Sequence, residues 1–274
     1  MHSPLEIARN FVEIGIHKVK LSAWKMLILG FFAGMFIGFA GIASTTASAT
    51  IASASVARLV SACVFPAGMA MVLVAGSELF TGNNLIIISV LQKKATVAGM
   101  LKNWFFVFLG NFIGAGFVAV MVVYSHVPDL YNGLLAQKVV AAAMSRINQS
   151  FSEAFMRGVL CNILVCIAVL MATAARDIAG KVWAIFFPIC AFVVGGWEHC
   201  VANMFYIPAG IIAATNDTYV AKAEELYGIT AAQISASVNV GGFISNLIPV
   251  TIGNILGGMV FVALPLYVIH KKKA

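Results

Sequence analysis

Charge is what this sequence has least of. Only 10% of its 274 residues are Asp, Glu, Lys or Arg, against about a quarter in an ordinary soluble domain, while 61% are hydrophobic. So few ionised side chains cannot cover a water-facing surface, which excludes a soluble globular domain and leaves a membrane protein. The five cysteines, Cys63, Cys161, Cys166, Cys190 and Cys200, lie in apolar stretches without CxxC or Cys/His ligand spacing. They read as small packing residues, and no metal site is expected. A GxSG serine elbow, an HExxH metal motif and a GxGD aspartyl motif are all missing, and Glu198-His199 has no second histidine four residues on. An intramembrane enzyme therefore lacks its nucleophile or its metal, and no cofactor is called for. The formal charge of +7 is not gathered into a basic, aromatic-interleaved run, so nucleic acid is not a partner. The Ala-Ser-Ala repeats near 47–54 imitate a signal-peptidase site, but Glu6 and Glu13 precede an apolar run longer than the h-region of about 7–15 residues.

What is present is a series of long apolar segments. Six lie at about 26–50, 60–91, 103–124, 154–175, 182–212 and 240–269, each at or beyond the roughly 20 residues a helix needs to cross a bilayer. The basic residues follow this pattern. Arg9, Lys18, Lys20, Lys25, Lys93, Lys94, Lys102, Arg176, Lys181 and Lys271 to Lys273 fall at the ends on one side, and Arg58, Lys138, Arg146, Arg157 and Lys222 share the other side with Asp129, Glu153, Asp217, Glu224 and Glu225. By the positive-inside rule both termini are cytoplasmic, in the inner or plasma membrane. The expected organisation is an amphipathic cytoplasmic helix within 1–23, a single six-helix transmembrane domain over 24–270, and a basic tail at 271–274. In the first, Ile7, Phe11, Ile14 and Leu21 fall at helical spacing after Pro4, a stripe suited to the inner membrane surface, the alternative being a solvated terminus. The segments at 125–150 and 214–235 are expected to cover the outer side, the first with a helical piece at 134–144.

Two of the apolar segments are interrupted in the same way. Gly76-Ser77-Glu78-Leu79-Phe80-Thr81-Gly82-Asn83 and Gly196-Trp197-Glu198-His199-Cys200-Val201-Ala202-Asn203 each follow a Glu by an Asn five residues on. The third and sixth segments share Gly-Asn-x-[Ile/Leu]-Gly, at Gly110-Asn111 and Gly253-Asn254. The chain is a duplication, with repeats at about 24–125 and 150–270. Three spans per half make the repeat inverted, with its site at the midplane. Segments two and five, at roughly 30 residues, exceed one straight crossing of a bilayer of about 30 Å. Each is read as two half-helices, with Pro66, Pro188 and Pro208 weakening the ladder. The first segment carries Gly30, Gly34 and Gly38 at four-residue spacing, a face for close helix packing.

The polar residues at this depth have alternative uses. His199 is the only histidine away from a segment end; it exchanges a proton with a permeating weak acid, or it bonds carbonyls at the break. Thr81 orients a proton or satisfies an orphan carbonyl. Glu78 and Glu198, with Asn83 and Asn203, are expected to be structural at the helix breaks, the carboxylates accepting from exposed backbone N–H groups. Asn162 lines a pathway or bonds another helix, and Asn111 and Asn254 are expected to do the latter.

With these residues in view, Leu73 to Gly82 resembles the first signature of the formate/nitrite transporter family. Gly158 to Ala168 resembles the second, with Ile167 a slight departure, and Glu198 to Met204 resembles its broken fifth helix. The resemblance covers essentially the whole chain. It implies an all-α, aquaporin-like fold of six transmembrane helices in an inverted 3+3 repeat, assembled as a homopentamer with a pore in each subunit. Its substrates would be formate, nitrite or hydrosulfide, with protons as partners and formate placed first. Carried over by motif, Thr81 and His199 face each other, Asn162 lies nearby, and Phe65, Phe192, Leu79, Phe80 and Val165 narrow the pore. Arg146 falls at a basic vestibule position where members commonly have Lys. A water or glycerol pore, the other aquaporin-like reading, would carry paired Asn-Pro-Ala motifs, which this chain lacks.

Overall fold

The computed structural model describes residues 1–228 and 230–270, which puts the expected basic tail at 271–274 outside the described residues. Among the described residues all regular structure is helical. The chain opens with α1 (Pro4–Lys20), capped by Ser3 in a reciprocal box with Glu6. The first half then runs through α2 (Ala23–Ser48), α3 (Ala54–Val64), α4 (Pro66–Val74), α5 (Phe80–Asn83), α6 (Ile87–Leu91) and α7 (Val97–Tyr124). A connecting helix α8 (Leu134–Ile147) leads to the second half, comprising α9 (Phe151–Ala174), α10 (Ile178–Gly195) and α11 (Cys200–Ala213). Two short helices, α12 (Asp217–Tyr227) and α13 (Ala231–Ser237), precede α14 (Val240–Gly258), a π-helical turn at Met259–Ala263, and α15 (Leu264–His270). Six helical runs are long and apolar enough to span a membrane: 23–48, 54–74, 97–124, 151–174, 178–195 and 240–270.

Several of these helices begin three to six residues before the apolar stretch that marks them in the sequence. The reason lies in their caps. Ser22, Thr96, Ser150 and Asp177 each accept a backbone N–H from the first turn, so each helix starts at its polar cap rather than at its first large hydrophobe.

The two halves are built on paired helices in backbone contact. α2 packs along α7, and α9 along α14. A Cβ at Gly34 would lie 2.0 Å from the Asn111 carbonyl oxygen, and one at Gly257 would lie 2.3 Å from that of Val159. Glycine is therefore required there for the helices to approach, and this close packing replaces a hydrophobic driving force that is weak inside lipid.

The apolar stripe of α1 is covered by protein. Phe11 is buried in a cluster with Leu85, Ile88, Cys166, Val262 and Ala263, with Ile7 packed against it. The stripe expected to lie on the membrane surface thus docks on α6 and the Met259–Ala263 turn. Gly15 lets α1 come down on Ser89, whose hydroxyl donates to the Val12 carbonyl at 2.9 Å. On the far side of the bundle α8 packs against α11 and α12, and Tyr219 of α12 donates its hydroxyl to Asp129. Burial, and then the contact with Asp129, pushes the Tyr219 phenol up to about 12.

Candidate functional site

The site is made by two backbone interruptions of the same shape. After α4 the chain turns at Gly76 (φ +77°), and after α10 at Gly196 (φ +69°). Both are left-handed conformations that favour glycine at a helix C-terminus. Three non-helical residues follow in each, Ser77-Glu78-Leu79 and Trp197-Glu198-His199, and helix resumes at Phe80 and at Cys200. Such ends leave N–H and C=O groups unpaired, and burial makes that costly.

One asparagine per half satisfies them. Asn111 accepts the Phe80 N–H at 2.9 Å and donates to the carbonyls of Gly30 at 2.8 Å and Glu78 at 2.9 Å. Asn254 accepts the Cys200 N–H at 2.9 Å and donates to those of Gly158 at 2.8 Å and Glu198 at 3.0 Å. Each amide ties a span of its own half to the break, as the interhelical role expected of both requires.

The two glutamates do something other than what the sequence suggests. With Asn111 and Asn254 already holding the backbone N–H groups, the carboxylates turn to side chains instead. Glu78 accepts from Asn83 at 2.7 Å and from Lys18 Nζ at 2.7 Å. Glu198 accepts from Asn203 at 2.7 Å and from Gln149 at 2.9 Å, with Arg146 Nε 3.9 Å away. A further asparagine completes each set. Asn83 donates to Asn103, and Asn103 to the Lys18 carbonyl; Asn203 donates to Asn246, and Asn246 to the Arg146 carbonyl. Lys18, Asn103, Gln149 and Asn246 were missed as site residues from sequence. A signal existed for two of them, since Asn103 precedes Asn111 by the same eight residues that separate Asn246 from Asn254.

Where the halves differ, the centre acquires chemistry. His199 Nε2 lies 2.8 Å from Thr81 Oγ1, both side chains being buried. His199 Nδ1 accepts the Ala202 N–H at 3.1 Å, capping α11. An imidazole that accepts at Nδ1 carries its proton on Nε2 when neutral, so it presents Nε2–H to Thr81 and leaves the hydroxyl hydrogen free to donate elsewhere.

Two cavities approach this pair from opposite sides. The larger, about 430 Å³, is lined by Phe65, Phe192 and His199 at its floor and by Arg58, Lys138, Arg146, Arg157, Glu198, Asn203 and Tyr206 higher up. The Phe65 and Phe192 rings meet edge to face with centroids 5.6 Å apart, and Phe192 stands 6.2 Å from the imidazole. On the other side a space of about 30 Å³ is lined by Leu79, Gly82, Asn83, Lys18 and Val169, and it shares Leu73 and Val169 with a cavity of about 300 Å³ beneath α1.

Not every expected pathway residue reaches these cavities. The Phe80 ring packs against Trp104 and Phe108, with centroids 5.8 and 4.9 Å away, because its own N–H is held on the α7 side by Asn111. Val165 is buried in the core. Asn162 stands behind Thr81, donating to its carbonyl at 3.2 Å and to Asn84 and the Asn254 carbonyl. Arg146 lines the cavity with its guanidinium already engaged. It donates to Asn203 at 3.1 Å and to the Ala142 carbonyl at 2.6 Å, and its guanidinium lies 4.0 Å over the Tyr206 ring. Among the described residues no group of His, Cys, Asp and Glu is arranged to hold a metal ion.

Six apolar runs, a twice-repeated polar scaffold and cavities on either side of a buried hydroxyl–imidazole pair define a multi-pass helical membrane transport protein. The chain matches the model of the formate/nitrite transporter family over residues 5–268, and it belongs to that family. It is 38% identical to a protein of Methanothermobacter thermautotrophicus named "Probable formate transporter", over 95% of this chain and 94% of that one. It is 36% identical to the formate channel FocA of Haemophilus influenzae, over 94% and 91%. Among solved structures it resembles a pentameric formate channel with formate bound, at 33% identity and a TM-score of 0.81, covering 91% of this chain and 98% of that one.

Proposed function

We propose that this chain forms a homopentameric channel for small monovalent anions, formate foremost, with permeation controlled by protonation at His199. The observation that carries the reading is the buried 2.8 Å contact between Thr81 and His199 at the end of the larger cavity, with Leu79 and Gly82, the neighbours of Thr81 in the first break, lining the smaller one. The named relatives and the pentameric neighbour, all of them formate proteins, support the substrate and the assembly.

The physics of the centre supports the mechanism. A charged group at the middle of a bilayer costs at least about 3 kcal/mol, and a neutral weak acid escapes most of that. Phe65 and Phe192 form an apolar seal on the larger cavity, and Leu79 forms one on the smaller, so a hydrated anion is rejected at both. Between them Thr81 offers a hydroxyl donor to the anion. An imidazolium at His199 passes its Nε2 proton through Thr81: the hydroxyl hydrogen goes to the carboxylate and the Nε2 hydrogen replaces it. Neutral formic acid and a neutral imidazole protonated on Nδ1 result, and the ring regains the capping tautomer when Nδ1 gives up that proton and Nε2 takes one. Because Nδ1 holds the Ala202 N–H in the structure, charging the ring requires that cap to yield, which links protonation to the first turn of α11. With both termini cytoplasmic, as the positive-inside rule expects, the larger cavity opens outward. Asn162 acts here as a positioning residue for Thr81, and Glu78, Glu198, Asn83 and Asn203 hold the breaks.

Nitrite and hydrosulfide, of the same charge and similar size, are the alternative substrates. Fluxes of formate, nitrite and hydrosulfide into proteoliposomes across a pH series test the proposal. Fastest flux for formate, rising as pH falls, is expected; no flux of any of the three, or flux only of neutral solutes, would overturn it.

A further inference from the structure

The larger cavity carries more positive charge than entry of a small monovalent anion requires, and its charges are unevenly engaged. Four cationic side chains line it against the single carboxylate of Glu198. Arg146 is held by Asn203, the Ala142 carbonyl and Tyr206, close to that carboxylate. Arg58 is different. Its guanidinium sits at the C-terminal end of α10, 3.5 Å from the Val194 carbonyl, in space that only a glycine at 196 leaves open: a Cβ there would lie 2.6 Å from Nη1. The equivalent turn in the other half, at Gly76, has nothing within 4 Å of such a Cβ, so no guanidinium occupies the corresponding place there. Arg157 adds a second exposed guanidinium to the same wall, with Glu153 one helical turn away engaged by Ser150.

From this we infer that the outer cavity is a binding site for doubly charged oxyanions such as sulfate, held by Arg58 and Arg157, which plug the entrance without passing it. A dianion gains about twice the Coulomb energy of a monoanion from the same cations, and planar guanidinium groups match tetrahedral oxyanions in paired hydrogen bonds. The floor of Phe65 and Phe192 then stops it, since a dianion has to shed far more hydration than formate and sulfate does not become neutral by taking one proton. A volume of about 430 Å³ holds such an ion with part of its water, whereas on the inner side the space of about 30 Å³ beside Leu79 holds about one water and the cavity of about 300 Å³ beneath α1 is lined by the single Lys181 and by no arginine. The site is therefore one-sided. The inference rests on the channel reading above and deepens it by naming a blocker and the face from which it acts.

The test measures uptake of labelled formate in right-side-out and inverted membrane vesicles containing the full chain, with sulfate or methanesulfonate at equal ionic strength. Sulfate is expected to slow formate entry several-fold in right-side-out vesicles only, competitively, and equally at all pH values where it remains divalent. The double variant Arg58→Gln, Arg157→Gln, each flux taken relative to its own value in methanesulfonate, is expected to lose the block. Titration of sulfate into the purified pentamer should give saturable binding that the double variant lacks, a readout that does not depend on formate passing. Equal effects of sulfate and methanesulfonate, block from both faces, or sulfate binding retained by the double variant would each overturn the inference. Failure of formate flux in methanesulfonate alone would instead strike the channel reading, with the titration still deciding the site.

Discussion

Leu79 and His199 occupy the same place in the two halves of the molecule. Each is the last extended residue before a helix restarts, with φ −108°, ψ 123° at Leu79 and φ −114°, ψ 116° at His199. Each also lines one of the two cavities that stop at the centre. One is hydrocarbon and the other an imidazole. Thr81 and Val201 invert the polarity two residues further on, so that the first half's hydroxyl meets the second half's ring at the centre.

The asparagines that bind the breaks are expected to be the most sensitive structural positions. Asn111→Ala leaves the Phe80 N–H and two carbonyls without their partner, and Asn254→Ala does the same in the other half. A buried polar group left unsatisfied costs about 1–3 kcal/mol. Each variant should lower the unfolding temperature of the detergent-solubilised protein markedly and by a similar amount. A small loss in either would mean that water or another side chain serves these groups.

Lys18 ties α1 to the inner break through Glu78 at 2.7 Å and Asn83 at 2.8 Å. In Lys18→Met the Glu78 carboxylate stays buried with its cation gone, a change that costs several kcal/mol when no rearrangement follows. Hydrogen exchange should rise in α1 and at residues 76–83, while residues 196–203, held by Arg146, remain as protected as before. Equal loosening of both breaks would contradict the independence of the two polar sets.

Acid should loosen the start of α1. The capping box with Ser3 holds the Glu6 carboxyl below its usual value of 4.5, so its stabilising contribution is complete above that value and disappears as pH falls through the lowered one. Exchange of the first-turn amides should increase in that acid range, and Glu6→Gln should show the increase at neutral pH already. An unchanged acid response in Glu6→Gln would assign the effect to another group.

Much of this molecule was legible in the sequence because its organising features are repeats. Six apolar runs gave the spans, and matched Glu and Gly-Asn spacings gave the two halves and the interruptions at 75–79 and 196–199. Asn103 and Asn246 escaped notice because a lone Asn in an apolar run carries no direction until its register with Asn111 or Asn254 is known. The partner of Glu78 was hidden for another reason: Lys18 lies on a helix whose docking depends on Gly15 and Ser89, and sequence spacing cannot supply that contact. Phe80 and Val165 were placed on the pathway by motif, yet which side of Phe80's short helix faces the cavity is decided by where its N–H groups are bound, and Val165, midway along α9, is buried in the core. Arg146 was recognised as a cation, but its engagement by Asn203, Ala142 and Tyr206 is a matter of three-dimensional packing.

The central claim concerns the imidazole, and Leu79 indicates how to test it without disturbing the backbone. Because leucine occupies the equivalent conformation in the other half, His199→Leu should fold and assemble as the parent does. Formate flux into proteoliposomes, measured for the two proteins from acid to alkaline pH, is the decisive comparison. The account predicts that the variant loses the acid-stimulated formate flux while keeping its pentamer, with an unfolding temperature lowered only by the loss of the Ala202 cap. Formate flux with an unchanged rate and an unchanged pH profile in His199→Leu would contradict it.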